Sequence, residues 1–243
     1  MQEATAGLER SQARGSELMS DCFQNSGIAF DLDGTLVDTA PDLVRSLNEV
    51  VAADGLENVA LADVRAMVGR GARILIERAY AAQNRKITSA DVDRRVADFI
   101  DVYRSGIANL SRPFDGGVEI LDVLKARGAR LSICTNKSSG LADALIEALG
   151  LSHYFERIIG PERTEAKKPD AAHFWSAVGN AGPNLALIGD SITDAACGQA
   201  AGIPCIILTH GYSEIPHRAL GADAVLDNFS NLPDTLEKLW QGR

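Results

Sequence analysis

The chain has 243 residues, of which 46% are hydrophobic and 23% are charged, a composition typical of a globular protein with a sizeable core. Its formal net charge of −9 disfavours nucleic acid and anionic membranes as partners, because binding to phosphate-rich surfaces needs clustered Lys and Arg. The expected partner is therefore a small molecule.

The N-terminal segment and the cysteines indicate where the protein works. Residues 1–26 are polar and lack the apolar core of a signal peptide, so we expect a flexible tail there. No apolar run reaches the roughly 18 residues of a membrane span, and the four cysteines lack the paired spacing of a metal site. We expect a cytoplasmic monomer or homodimer with reduced thiols.

Short runs rich in Ile, Val and Leu alternate with longer helical patterns from residue 27 onward. This alternation is typical of parallel strands joined by crossover helices. The predicted fold class is therefore α/β, with a Rossmann-like parallel sheet as the core. The predicted strands are residues 27–30, 130–135, 157–160, 185–190, 204–209 and 224–226.

The stretch between the first two strands breaks this alternation. Residues 41–110 have helical apolar spacing and no convincing strand, so we predict an inserted all-helical domain there. The core domain then comprises residues 27–40 and 111–243. The segments 38–41 and 112–117 are the expected hinges between the two domains, since the second is rich in Pro and Gly.

Polar residues follow several predicted strands, at the edge of a parallel sheet where ligands bind. Two aspartates one residue apart follow the first strand, and a Thr-Asn pair follows the second. Another aspartate ends the strand at residues 185–190, with a further one four positions later. These residues are Asp31, Asp33, Thr135, Asn136, Asp190 and Asp194.

Several carboxylates in one crevice repel one another unless a hard cation or a shared proton offsets their charge. Because the donors are oxygens, with no His or Cys beside them, we expect Mg²⁺ as the cofactor. Asp190 is a predicted metal ligand. Asp194 is expected either to hold the water shell of the metal or to orient Lys168.

The same residues suit the transfer of a phosphoryl group to water. We expect Asp31 to attack phosphorus and form an aspartyl-phosphate, while Asp33 protonates the leaving oxygen and then deprotonates the attacking water. Thr135, Asn136 and Lys168 are expected to bind the substrate. The lysine supplies a fixed positive charge to the phosphoryl oxygens.

Four short motifs occur in order along the chain: DLDGTLVD (31–38), CTNK (134–137), KKP (167–169) and GDSITD (189–194). Together they resemble the motifs of the haloacid dehalogenase-like (HAD) phosphatase superfamily. The resemblance implies the roles given above, with Asp31 as a metal ligand too, and adds the backbone carbonyl of Asp33 as a further Mg²⁺ ligand. It also implies that the helical insertion is a cap domain of the C1 subgroup, which closes over the site.

Within that superfamily the chain is similar to bacterial phosphoglycolate phosphatases, through segments such as VGRGARILIERA and HGYSE. This similarity implies that the substrate is a small anionic phosphate ester, 2-phosphoglycolate. Arg70 and Arg73 in the inserted segment are candidates for binding the substrate carboxylate. The alternative is that both arginines are solvated at the start of a helix.

Other interpretations stay open at this point. Another enzyme of the same fold, such as a sugar-phosphate phosphatase, a pyrophosphatase or a phosphotransferase, would use the same motifs. A catalytically silent binding protein that kept the fold is a further alternative. Locally, Lys167 competes with Lys168 for the inward position, and the GDSITD motif is also compatible with a plain helix cap.

Overall fold

The computed structural model describes residues 21–65, 68–69, 71–213 and 215–242. A sheet of six parallel strands forms the core, and a separate pair of two-residue strands lies beside it. The six sheet strands are β1 (Gly27–Phe30), β4 (Arg130–Cys134), β5 (Phe155–Ile159), β6 (Leu185–Gly189), β7 (Cys205–Leu208) and β8 (Ala224–Leu226). The short pair consists of β2 (Val37–Asp38) and β3 (Arg112–Pro113).

Helices flank the sheet and fill the insertion. The helices after β2 and before β3 are α1 (Ala40–Ala52), α2 (Leu61–Arg65), α3 (Ala72–Ala82) and α4 (Ser89–Ser105). Those that follow are α5 (Gly117–Ala126), α6 (Ser139–Ala148), α7 (Ala171–Val178), α8 (Ile192–Ala201) and α9 (Leu232–Gln241). None of these helices, within the ranges the structure describes, is long and apolar enough to cross a membrane.

The sheet order is β5-β4-β1-β6-β7-β8, and every pair of neighbours in it is parallel. All six predicted strands are present, and the predicted α/β core with a parallel sheet is confirmed. In the central strand β1, Ile28 and Phe30 face one apolar cluster while Ala29 faces the other. Because side chains alternate between faces, a strand covered on both sides reads as an uninterrupted apolar run.

The helical insertion has the character that the sequence predicts. Helices α1 to α4, here called the cap, lie between β2 and β3, and local signals fix their ends. Pro41 occupies the first turn of α1, where its missing N–H costs no hydrogen bond. Thr88 begins α4 by accepting a hydrogen bond from the N–H of Asp91.

The chain enters and leaves the cap through the antiparallel pair β2 and β3, in which Val37 pairs with Pro113 and Asp38 with Arg112. These strands overlap the predicted hinge segments 38–41 and 112–117 at Asp38 and at residues 112–113, although the sequence predicted no strand there. Two residues are too few for a periodic pattern to identify a strand.

Asp42 ties the two ends of the cap together. Its Oδ2 atom accepts hydrogen bonds from the N–H of Leu110 at 2.9 Å, and from the N–H and the hydroxyl of Ser111, each at 2.7 Å. The Asp42 side chain is fully buried. The start of α1 and the chain returning to the core are therefore held at one carboxylate.

At the end of the predicted flexible tail, residues 1–26, the structure differs from the prediction. Phe23 is fully buried and packs edge-on against Trp240, with 5.0 Å between the ring centroids. Asp21 pairs with Arg127 at 2.7 Å. Residues 21–26 therefore pack on the core, whereas residues 1–20 lie outside the described part of the chain. A single aromatic residue in a polar segment is too weak a pattern for this contact to be predicted from the sequence.

We predict that Asp42→Ala lowers the free energy of unfolding by about 3 kcal/mol at neutral pH, because three buried donors lose their acceptor. The exposed variant Asp63→Ala on α2 is the control. Burial raises the pKa of Asp42, but the hydrogen bonds from Leu110 and Ser111 outweigh this effect and hold the pKa below its usual value. Its stabilising effect is therefore present at neutral pH and is lost as the pH falls through that lowered pKa.

Urea denaturation of both variants across acidic to neutral pH measures these effects. Equal unfolding free energies for the two variants at neutral pH would contradict this role of Asp42.

Candidate active site

The carboxyl edge of the sheet brings together residues from four of the sequence motifs. Asp31 follows β1, Thr135 follows β4, and Asp190 follows β6. Carboxylate oxygens of Asp31, Asp190 and Asp194 all lie within 4.8 Å of one another. The predicted convergence of the acidic residues at this edge is what the structure shows.

Lys168 is the cation at the centre of this cluster. Its Nζ atom lies 2.6 Å from Oδ1 of Asp194 and 2.9 Å from Oδ1 of Asp31. The side chain is only 2% exposed, whereas the neighbouring Lys167 is exposed. Burial lowers the pKa of Lys168, but the carboxylates of Asp194 and Asp31 outweigh this effect and raise the pKa. This lysine is therefore charged.

The backbone around Lys168 is held by two side chains. His173 Nδ1 accepts a hydrogen bond from the N–H of Lys168 at 2.9 Å, and Asn136 donates to its carbonyl at 3.1 Å. His173 Nε2 lies 3.0 Å from the carbonyl oxygen of Ile159. Since Nδ1 accepts, the ring proton sits on Nε2, and burial lowers the pKa of this imidazole.

No motif surrounds His173 in the sequence, so the sequence gives no indication of a role in the site. The structure shows that it fixes the loop that carries Lys168. Asn136, predicted to bind substrate, uses its amide nitrogen on the same loop, while its Oδ1 atom is buried and accepts no hydrogen bond from the residues that the structure describes. This oxygen remains available to a ligand.

Asp190 is oriented by groups outside its own motif. Its Oδ1 atom accepts from the Thr35 hydroxyl at 2.7 Å, and its Oδ2 atom accepts from the N–H of Tyr212 at 2.6 Å. A side chain at Gly211 would place its Cβ atom 2.2 Å from the Cβ of Asp190. The loop carrying Tyr212 can therefore approach the carboxylate only because glycine stands there.

Asp194 contacts Lys168 and also closes the first turn of α8. Ser191 and Asp194 form a capping box, in which each side chain accepts from the backbone of the other. The helix is therefore capped, as the alternative interpretation of the GDSITD motif predicts, and the same carboxylate contacts the buried lysine.

The electrostatics of the cluster favour a bound cation. Burial raises the pKa of Asp31 to about 6, although Lys168 opposes this and Asp194 adds to it. Burial also raises the pKa of Asp190, and the charges of Asp194 and Asp31 add to the effect. One lysine therefore leaves part of the negative charge unbalanced, and a cluster of oxygen donors with excess charge fits a hard divalent cation.

Asp33 is held by a lysine whose role the sequence did not indicate. Lys137 Nζ lies 2.9 Å from Oδ1 and 3.2 Å from Oδ2 of Asp33, and 2.9 Å from the hydroxyl of Tyr103 on α4. Burial lowers the pKa of Lys137, but the carboxylate of Asp33 outweighs this effect and raises the pKa. Lys137 is the fourth residue of the CTNK motif, in which the sequence assigned roles only to the threonine and the asparagine. It links Tyr103 of the cap to Asp33.

A cavity of about 240 Å³ opens over these groups. Its polar lining includes Asp31, Asp33, Thr135, Asn136, Lys137 and Lys168. Arg73, a predicted substrate-binding residue, does not line it and instead pairs with Glu77 at 3.3 Å and with Asp93. Arg70, the other predicted arginine, lies outside the described residues.

Comparisons with known proteins agree with this arrangement. A model of the haloacid dehalogenase-like hydrolase family matches residues 28–208. The chain belongs to this family. The resemblance stated from the four motifs is thereby confirmed.

Relatives in this family align over most of the chain. The phosphoglycolate phosphatase of Caulobacter vibrioides is 47% identical over 209 residues, which cover 85% of this chain and 88% of that protein. That of Agrobacterium fabrum is 43% identical over 214 residues, covering 86% and 92%. A crystal structure described as a predicted phosphoglycolate phosphatase from Haemophilus somnus gives a TM-score of 0.81 at 29% identity, covering 90% of this chain and 99% of that one.

We predict that Lys168→Met lowers the free energy of unfolding by about 3 kcal/mol at neutral pH, because buried carboxylates lose their counter-charge. Lys167→Met, the exposed neighbour, is the matched control. Asp31 has a pKa raised to about 6 even beside Lys168, so this group stabilises the fold less as the pH rises through that value. Mild acid should therefore restore more stability to the variant than to the wild type.

Denaturation curves without divalent cations at neutral and mildly acidic pH test this. A Lys168→Met protein as stable as Lys167→Met at both pH values would contradict the assignment of Lys168 as the counter-charge.

Proposed function

We propose that the protein is a Mg²⁺-dependent phosphatase that hydrolyses a small phosphate monoester through an aspartyl-phosphate on Asp31. The relatives named phosphoglycolate phosphatase assign the chain to the phosphoric monoester hydrolases. The observation that carries the mechanism is the position of Asp31. Its carboxylate lies at the cavity, 2.9 Å from the ammonium group of Lys168 and within 4.8 Å of the carboxylates of Asp190 and Asp194.

The oxygen cluster is suited to hold Mg²⁺ through Asp31, Asp190 and the backbone carbonyl of Asp33, with Asp194 as a further acidic group beside it. When bound, Mg²⁺ would neutralise charge on the phosphoryl oxygens and on the carboxylates. The preorganised Asp190, held by Thr35 and Tyr212, matches the way outer hydrogen bonds fix a metal ligand.

In the first step, a carboxylate oxygen of Asp31 attacks phosphorus, and the bond from phosphorus to the ester oxygen breaks. The ammonium group of Lys168 and the polar groups of Thr135 stabilise the negative charge on the phosphoryl oxygens. Asp33, in its acid form, gives a proton to the leaving oxygen, which departs as an alcohol.

In the second step, water attacks the phosphorus atom of the aspartyl-phosphate. Asp33, now a carboxylate, accepts a proton from that water, and the bond between phosphorus and the Asp31 oxygen breaks. Inorganic phosphate leaves, and both aspartates return to their starting forms. Lys137 contacts both carboxylate oxygens of Asp33 and so positions its carboxylate form, which accepts the proton in this second step.

For the substrate we propose 2-phosphoglycolate, on the names of the relatives. Arg73 is less suited than predicted to bind its carboxylate, because Glu77 and Asp93 already neutralise its charge. Arg70 stays a prediction. Sugar-phosphate phosphatase, pyrophosphatase and phosphotransferase activities use the same core groups and are separated from this proposal only by the substrate.

A panel of esters tests the proposed function. Phosphate release is measured with Mg²⁺ on 2-phosphoglycolate, several sugar phosphates, pyrophosphate and p-nitrophenyl phosphate, with EDTA as the metal-free control. We expect kcat/KM for 2-phosphoglycolate to exceed the other values by at least about a hundredfold. A different ranking would replace the substrate and keep the mechanism, whereas no release from any ester would favour the silent binding protein.

We predict that Asp31→Asn lowers kcat by at least about a thousandfold, because an amide oxygen cannot replace the carboxylate as nucleophile. The fold should be retained, since the two side chains have the same shape. Asp101→Asn on the exposed side of α4 is the control. Steady-state kinetics and circular dichroism check both variants, and wild-type turnover by Asp31→Asn would reject the nucleophile.

We predict that Thr35→Val weakens Mg²⁺ binding about tenfold, because Asp190 loses a buried hydrogen bond while the side-chain volume stays nearly constant. Thr235→Val on α9, where the hydroxyl donates to the carbonyl of Asn231 far from the carboxylate cluster in the sequence, is the control. Titration calorimetry with Mg²⁺ on substrate-free protein measures the change. Unaltered affinity in Thr35→Val would exclude this support for the metal ligand.

A further inference from the structure

A second cavity, of about 350 Å³, adjoins the catalytic cavity on the cap side. The two cavities share Asp33, Asn136 and Lys137 in their walls. The other walls of the second cavity come from cap helices α1, α3 and α4, from the loop residues just before α3, from the start of α6 and from Pro161 and Glu162. The second cavity therefore borders the catalytic cavity at the proposed acid-base residue Asp33.

The walls of this second cavity are mainly apolar. Tyr103 adds an aromatic ring next to Lys137, with the ammonium group 4.6 Å from the ring centroid. The aliphatic and phenyl side chains that line it are Leu43, Leu75, Val96, Phe99, Ile100 and Leu141. A ligand in this space would gain chiefly by burying apolar surface.

The charged groups at the rim of the cavity already have partners within the protein. Arg73 pairs with Glu77 and Asp93. Glu162 accepts hydrogen bonds from the N–H of Ser139 at 2.8 Å and from its hydroxyl at 2.7 Å. The rim therefore offers a ligand little uncompensated charge.

The position of Asp33 fixes which part of a substrate would enter. The phosphoryl group sits at Asp31, and the oxygen that Asp33 protonates belongs to the leaving alcohol. The carbon skeleton of that alcohol must therefore lie on the Asp33 side, where the second cavity opens.

We infer that the second cavity is a leaving-group subsite for alkyl or aryl groups, so that the enzyme also hydrolyses phosphate monoesters of apolar alcohols. The inference rests on the proposed phosphatase function and extends its substrate class. The space is sufficient, since an apolar cavity of about 150 Å³ accepts benzene. The two-carbon acid of 2-phosphoglycolate would leave most of the cavity empty.

A homologous series tests the subsite. Ethyl, butyl and hexyl phosphate have leaving alcohols of nearly equal acidity, so chain length changes burial and not the chemistry. Each buried methylene is worth up to about fourfold in binding. We expect kcat/KM to rise at least about tenfold from ethyl to hexyl phosphate, and a flat series would overturn the subsite.

Variants on α4 locate the effect. Val96→Phe fills the cavity and should reduce the hexyl-to-ethyl ratio of kcat/KM to near one. Ala97→Phe places the same ring on the exposed face one residue away and should keep the wild-type ratio. If Val96→Phe does not fold, Val96→Thr takes its place in the test. This variant preserves the side-chain shape but adds a hydroxyl, and it should also lower the hexyl-to-ethyl ratio. A wild-type ratio in both Val96 variants would contradict the assignment.

Binding of non-hydrolysable ethyl- and hexylphosphonate separates the subsite from the phosphatase activity. Calorimetry on wild type with Mg²⁺ should show hexylphosphonate binding at least about tenfold more tightly. That result without hydrolysis of any ester would support the cavity and reject the proposed function. Equal binding of the two phosphonates would reject the cavity, whatever the turnover.

Discussion

The active site depends on one buried ammonium group set among several carboxylates. Lys168 alone offsets only part of the charge of Asp31, Asp190 and Asp194, whose oxygens approach one another within 4.8 Å. Such crowding is costly unless each group is held and hydrogen-bonded. His173 fixes the lysine backbone, while the N-terminal turn of α8 receives Asp194. The remaining imbalance suits the proposed Mg²⁺, whose charge would in turn attract a phosphoryl group.

The cap contributes to this site through specific contacts as well as by covering it. Tyr103 on α4 reaches Lys137, which pairs with Asp33 in the core. At the other end of the cap, Arg65 pairs at 2.8 Å with Asp38 in the β2 strand, where the chain passes from core to cap. Movement of the cap would therefore act directly on Asp33, the proposed acid-base residue. This suits the proposed mechanism, in which the site excludes water in the first step and admits it in the second.

The sequence predicted the parts of the molecule that follow from short-range patterns. Strands buried on both faces left continuous apolar runs, and the acidic motifs followed directly after them, so the sheet and the cluster at its edge were foreseeable. The residues that it missed act through contacts that leave no periodic pattern or motif in the sequence. His173 has no motif around it, and Phe23 is a lone aromatic residue in a polar segment. Lys137 lies in the CTNK motif, but that motif predicted roles only for its threonine and asparagine. Only the packed fold shows that they touch Lys168, Trp240 and Asp33.

The central claim is that Asp31 becomes covalently phosphorylated, and trapping that species tests it most directly. Wild-type protein and Asp33→Asn are mixed with Mg²⁺ and a hydrolysable ester, quenched in acid within milliseconds, digested and examined by mass spectrometry. We expect a peptide heavier by one phosphoryl group at Asp31. With an aryl phosphate that has a good leaving group, this peptide should accumulate more in Asp33→Asn, because water attack then lacks its base. Turnover by the wild type without any phosphorylated Asp31 in either protein would contradict the central claim.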